Sequence, residues 1–168
     1  MARKVFYSFH YKPDNWRVSQ VRNIGAIEGN EAAKDNDWET ITKGGDAKIK
    51  EWIDSQMKGR SCAIVLIGTN TADRKWINYE ITKAWNDGKA LLGIHIHNLK
   101  DSVGNTSAKG ANPFTGFTVT KTGNIKISLS DIVKVYNPSG LDSKAVYQNI
   151  ANNIEDWIED AVKIRNSY

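Results

Sequence analysis

Cys62-Ala63-Ile64-Val65-Leu66-Ile67-Gly68 is the stretch that decides the fold. Six consecutive apolar residues run to a glycine with no polar position between them. A strand with one wet face alternates apolar and polar residues. A strand buried on both faces does not, and a parallel sheet covered by helices needs such strands at its centre. Downstream, the spacing predicts a helix from about Ala72 to Asp87. Ile77, Ile81, Ala84 and Trp85 fall at i, i+4, i+7 and i+8 on one face, and Gly88 stands where a helix-ending glycine belongs. Ala90-Leu91-Leu92-Gly93-Ile94-His95-Ile96 then reads as a second central strand.

Upstream of the run, Gly44-Gly45-Asp46 opens a helix whose apolar face is Ile49, Trp52, Ile53 and Met57. The chain begins with a strand-like segment, Lys4 to Phe9, rich in β-branched and aromatic residues. Asp14 or Asn15 is a candidate cap for a helix reaching about Ile24. A short strand near 26–28 and a polar loop holding Trp38 fill the interval to Gly44. After His97 comes a long loop, 98–113. Residues 114–119 and 125–129 read as strands about the turn Lys121-Thr122-Gly123-Asn124, so 118–141 forms a hairpin or insertion. Asp142 or Ser143 caps the closing helix, whose stripe is Tyr147, Ile150, Ala151, Ile154, Trp157, Ile158 and Ala161.

Strands alternating with helices imply an α/β fold with right-handed crossovers and a mainly parallel sheet. In a flavodoxin-like arrangement the five-strand order is 2-1-3-4-5, and a ligand sits beyond the carboxyl ends of the strands where that order reverses. Two segments meet there: Ser8-Phe9-His10, and Thr69-Asn70 with the helix carrying Trp76 and Glu80.

Composition narrows the function. The 168 residues carry 23 Lys+Arg and 19 Asp+Glu, a net charge of +4. The excess is spread along the chain with no polybasic run, which argues against nucleic-acid binding. A lone cysteine, Cys62, allows no intrachain disulfide, and no apolar run approaches the roughly 20 residues of a spanning helix. The expectation is one cytoplasmic domain over 1–168, away from membranes. Neither a phosphate-binding Walker loop nor a G-x-G-x-x-G stands after the first strand, and no G-x-S-x-G elbow occurs.

Glu80 is the carboxylate of interest. It lies four residues after Trp76, at the border of the apolar stripe, where a carboxylate is half covered by core. Such a group has its pKa raised or is aimed into a cleft; the other reading is a solvated glutamate paired with Lys83 or Lys75. His95 and His97 share a strand face, but a metal site needs further ligands; two packed histidines at a strand end fit the pattern as well. His10 directly follows the first strand and can face a ligand or close the loop. Cys62, inside an apolar strand, reads as a small buried hydrophobe.

These segments together resemble a known family. Val5-Phe6-Tyr7-Ser8-Phe9-His10-Tyr11 is similar to the opening strand of TIR-like domains. Trp76-Ile77-Asn78-Tyr79-Glu80-Ile81, after an apolar strand, resembles the TIR segment that carries a catalytic glutamate. Within the family the likeness is to the bacterial ThsB group of the Thoeris anti-phage system. There Ser8-Phe9-His10-Tyr11, Ile67-Gly68, Trp76 to Ile81, Gly93-Ile94-His95-Ile96, Lys109-Gly110 and Asn112-Pro113-Phe114 have counterparts, covering roughly residues 1–115.

The resemblance implies a five-stranded flavodoxin-like TIR fold. It implies an enzyme that takes NAD+ as substrate with no separate cofactor and no metal, breaks the nicotinamide–ribose bond and makes a cyclic ADP-ribose-type signal for a separate effector protein. It implies a phage-derived trigger and self-association. Glu80 takes the catalytic role, and Phe6, Ser8, Phe9, His10, Asp46 and Trp76 are the expected substrate contacts. Other TIR-like proteins are interaction modules without activity, and that reading stays open at this point. A phospho-receiver is disfavoured, because Gly68-Thr69-Asn70 offers no aspartate after the apolar strand.

Overall fold

The computed structural model describes residues 4–24, 43–121 and 123–168. Its elements in chain order are β1 (Val5–Ser8), α1 (Tyr11–Arg22), α2 (Asp46–Met57), β2 (Cys62–Ile67), α3 (Lys75–Asn86), β3 (Ala90–His95), β4 (Thr118–Lys121), β5 (Ile125–Ser128), α4 (Leu129–Ile132), β6 (Val135–Tyr136) and α5 (Ser143–Asn166). The main sheet has the order β1-β2-β3-β6, every pairing parallel.

All six residues of β2 are buried, and the period of two explains why each must be apolar. Cys62, Ile64 and Leu66 enter one core, with Val18 and Val21 of α1 and Val146, Ile150, Ile154 and Ile158 of α5. Ala63, Val65 and Ile67 enter the other, with Ile49, Ile53 and Met57 of α2, Ile77, Ile81 and Ala84 of α3, and Phe114. The result is three layers, helix on sheet on helix. Burying each of the larger side chains contributes about 1.5–3 kcal/mol.

The four described strands occupy the positions numbered 1, 3, 4 and 5 in the flavodoxin-like order. The short strand expected near 26–28, and Trp38, lie outside the described residues. At the other edge the last parallel strand is β6, only two residues long. The hairpin β4–β5 is real but antiparallel and separate from the main sheet. Phe114 is not strand: it is a fully buried plug. Gly93 has no side chain because a Cβ there would come within 3.1 Å of the Phe114 ring and 2.9 Å of Ile67.

Helix starts differ from expectation in two places. The first helix begins at Tyr11 with His10 at its N-cap, so Asp14 lies inside the first turn and caps nothing. The α3 helix begins at Lys75, after a turn through Asp73. Asp142 caps α5 as expected, accepting the Ala145 N–H at 2.8 Å. No helix among the described residues is long and apolar enough to cross a membrane.

Candidate functional site

The carboxyl ends of β1, β2 and β3 lie side by side, because Ser8 is in register with Val65 and Ile67 with His95. On the α2/α3 side of the sheet, Ser8 follows Phe6 two residues on, and His95 and His97 follow Leu91 and Gly93. The α3 helix crosses this face with Ile77, Glu80, Ile81 and Ala84 buried. A helical period that buries Ile77, Ile81 and Ala84 also turns Glu80 inward.

Glu80 is 5% exposed, as covered as the core residues beside it. Burial pushes its carboxyl up to about 8, partly offset by the neighbouring Ser8 hydroxyl. Neither Glu80 Oε2 nor Ser8 Oγ has a hydrogen-bond partner of full geometry. The two groups are therefore neighbours whose bonding capacity is unspent. A buried polar atom left unpaired costs about 1–3 kcal/mol, and that cost is removed when a ligand's polar group arrives. The solvated pairing with Lys83 or Lys75 does not occur: Lys83 bonds Asp87 at 2.9 Å and Lys75 bonds Asp46.

His10 is half-buried with an unpartnered Nδ1. Burial and the Arg74 charge hold its pKa below the usual histidine range, so the ring is neutral at pH 7. Arg74 is the N-cap of α3, so His10 faces the start of the helix that carries Glu80. Trp76 is half-buried on that helix, edge-on to Tyr79 at 5.8 Å, with Lys75 Nζ 4.9 Å from its ring centre. Asp46, exposed at the start of α2, pairs with the same Lys75. Ser8, His10, Glu80, Trp76 and Asp46 thus belong to one end of the sheet. Phe6 is a core residue 5% exposed, on the same face as Ser8 but packed with the α2 and α3 side chains. Phe9 packs against the opposite core.

Further groups gather around this end that the sequence did not assign to the site. His95 and His97, edge-on at 5.7 Å, are both buried with unpartnered Nδ1 atoms. Burial lowers both pKa values, that of His95 to about 4, and the Lys109 charge adds to the effect. Ser107 Oγ is buried and unpartnered as well. The loop supplying Ser107 and Lys109 is pinned across the end of β2, where Thr69 Oγ1 donates to Ala108 O at 2.5 Å. Asp14, 3% exposed, pairs with Arg17 at 3.7 Å. Arg17 in turn donates to Leu99 O at 2.8 Å and Asn105 O at 2.9 Å, holding the base of the same loop. The signal for Asp14 and Arg17 is their i, i+3 spacing on a helix face that also carries Val18 and Val21.

Two glycines make this packing close. A Cβ on Gly68 would overlap the Asp14 carboxylate, and one on Gly110 would overlap the Gly68 carbonyl oxygen. The second obstacle is backbone and cannot rotate away. Gly110→Ala therefore costs about 1–3 kcal/mol, the usual range for overpacking. Urea unfolding at neutral pH measures it; a loss below about 0.5 kcal/mol would show that the 107–110 loop is not seated on β2.

The arrangement offers the buried Glu80 carboxyl, a hydroxyl beside it, neutral imidazoles and a half-buried tryptophan. Among the described residues no three His, Cys, Asp or Glu side chains are grouped to hold a metal ion. The family description "Thoeris protein ThsB, TIR-like domain" matches residues 6–101. A curated protein of Bacillus cereus (strain MSX-D12) named "Putative cyclic ADP-D-ribose synthase ThsB1" is 40% identical over 119 residues. That alignment covers 68% of this chain and 62% of the relative, so the chain spans less than two thirds of that relative's length. The span matched by the family holds all of β1 but Val5, together with β2, α3 and β3, and with them Ser8, His10, Glu80 and both buried histidines. The chain belongs to the ThsB family of TIR-like domains of the Thoeris system.

Proposed function

We propose that the protein cleaves the nicotinamide–ribose bond of NAD+ and closes the remaining ADP-ribose into a cyclic signal. The observation that carries this reading is Glu80: a carboxyl 5% exposed, with an unpaired oxygen, beside Ser8 at the carboxyl end of the sheet. The name of the Bacillus cereus relative supports the same chemistry.

The bond from ribose C1′ to the nicotinamide nitrogen breaks, and its electron pair leaves with the ring. Nicotinamide departs neutral and positive charge moves onto the ribose. A fixed carboxylate stabilises that charge and can accept hydrogen bonds from the ribose hydroxyls, as glycosidase carboxylates do. A nucleophilic atom of the substrate's own adenosine half then attacks C1′, and the proton it carries is released. Trp76, half-buried on α3, stacks on a ring of the substrate in this reading and excludes water, which favours cyclisation over hydrolysis.

The proton on Glu80 fits this scheme. In the empty site burial keeps the carboxyl protonated up to a pH of about 8. The pyridinium ring of NAD+ brings a positive charge beside it and favours the ionised form. A phage-derived trigger, an effector that reads the product and self-association of the domain complete the proposal. It is tested by incubating NAD+ with protein recovered from phage-infected cells and resolving nicotinamide and adenine-containing products by chromatography with mass detection. The reading requires equimolar nicotinamide and a product of ADP-ribose mass minus water. No nicotinamide under those conditions, with intact NAD+ recovered, leaves a non-catalytic interaction module as the better reading.

A further inference from the structure

The opposite end of the sheet holds a cavity that the proposed reaction does not use. It has a volume of about 380 Å³ and lies at the amino ends of β2 and β3, between the segment at Arg60-Ser61, the turn at Asp87-Gly88-Lys89 and the last turns of α5. Ser8 is level with Val65, three residues along β2 from Cys62, and Glu80 precedes Asp87 by seven residues on α3, so about 10 Å of strand or helix separates each from the cavity.

Its walls are basic. Arg60, Lys89 and Arg165 come from three different segments and line one space, against a single carboxylate, Asp87. That carboxylate is already engaged, since Lys83 Nζ lies 2.9 Å from it. Arg165 is fixed in place: its guanidinium lies 4.2 Å over the Trp85 ring and Nη2 donates to Trp85 O at 2.9 Å. Its Nε is buried and has no hydrogen-bond partner. Lys89 Nζ donates one hydrogen bond, to Arg60 O at 2.7 Å, and an ammonium has three protons to give. Arg60 is anchored through Nε to Gln56 O at 2.5 Å and Nη1 to Val5 O at 2.9 Å. Val162 supplies an apolar wall.

Two arginines and a lysine held by stacking and backbone bonds, with an orphaned guanidinium N–H among them, match the acceptor-rich geometry of a phosphate. The volume exceeds what one phosphate fills. We propose that this cavity is a second ligand site, distinct from the Glu80 site, that binds the phosphate group of a small phosphorylated molecule.

The test is a titration followed by amide chemical shifts, with inorganic phosphate in one arm and 5′-AMP in the other. Saturable shifts centred on Gly88, Lys89 and Arg165 are expected, and Lys89→Gln with Arg165→Gln should weaken binding by about tenfold or more, as expected when charge-assisted hydrogen bonds are lost. Tighter binding of AMP than of phosphate assigns a phosphorylated nucleoside; equal binding assigns the free anion. Lys89→Gln alone leaves the Arg165–Trp85 stack intact, and its amide spectrum reports directly on folding. Unsaturable shifts, or shifts centred on Ser8 and His10 instead, overturn the proposal. None of these readouts depends on NAD+ being turned over.

Discussion

Glu80→Gln is expected to lower the proposed nicotinamide release from NAD+ by about 10²–10³-fold or more, the usual loss when a preorganised group facing developing charge is removed. Glutamine has nearly the shape of glutamic acid, so packing against Ile77, Ile81 and Ala84 is kept. What it loses is the negative charge. In wild type, that charge appears only when the carboxyl ionises, and burial has moved this up to about 8 in the empty site. Below that pH the free protein carries a neutral Glu80, so kcat/KM rises with pH, by about tenfold per unit, and levels off above it. His10, His95 and His97 do not reproduce this limb, since all three titrate below the ordinary histidine value. Steady-state rates of both proteins from pH 6 to 9 measure the effect. Equal rates for the two proteins, or a wild-type profile flat through pH 8, would remove Glu80 from the reaction.

The same substitution stabilises the fold at alkaline pH. An unfolded chain releases the Glu80 proton near its ordinary value of 4.5, whereas the folded protein keeps it up to about 8. Below pH 4.5 both states are protonated and burial of the neutral acid carries no ionic penalty. Between the two values the unfolded state loses a proton that the native state holds, so wild-type stability falls as pH rises. Above the upper value the loss is constant. At about 1.36 kcal/mol per pKa unit it amounts to about 5 kcal/mol. Glutamine does not titrate, so its stability relative to wild type should improve by that order between about pH 5 and pH 9. Buried-amide costs are the same at both pH values and cancel in the comparison. Urea unfolding of the two proteins at both pH values tests it, and a difference that does not change with pH would show Glu80 to be solvated.

The burial of Glu80 is legible in the spacing, whereas its catalytic role comes from the family resemblance. Glu80 sits one residue before Ile81 and three after Ile77, and any helix that buries those two must bring position 80 to the core edge. The apolar run Cys62–Ile67 was equally readable, because burial on both faces leaves no room for a polar residue. The sheet's last strand was not. Val135-Tyr136 is too short for periodicity to register, and a two-residue edge strand is held by the neighbouring β3 rather than by its own pattern. The helix start at Tyr11 was obscured because its N-cap, His10, makes no side-chain capping bond. His95 and His97 could be placed on one strand face, yet Lys109 and Ser107 approach them only through a loop folded back over β2. Arg17 binds carbonyls 82 and 88 residues away. Contacts of that separation leave no local mark in a sequence.

The proposed mechanism requires the buried Glu80 carboxyl to face the nicotinamide riboside of bound NAD+. A crystal structure of Glu80→Gln with NAD+, in which slowed cleavage preserves the substrate, tests it most directly. The expected result is the nicotinamide-bearing ribose at the carboxyl ends of β1 and β2, within about 2.6–3.2 Å of the substituted side chain at position 80 or of Ser8 Oγ. NAD+ bound elsewhere, with position 80 still sealed from it beneath α3, would contradict it.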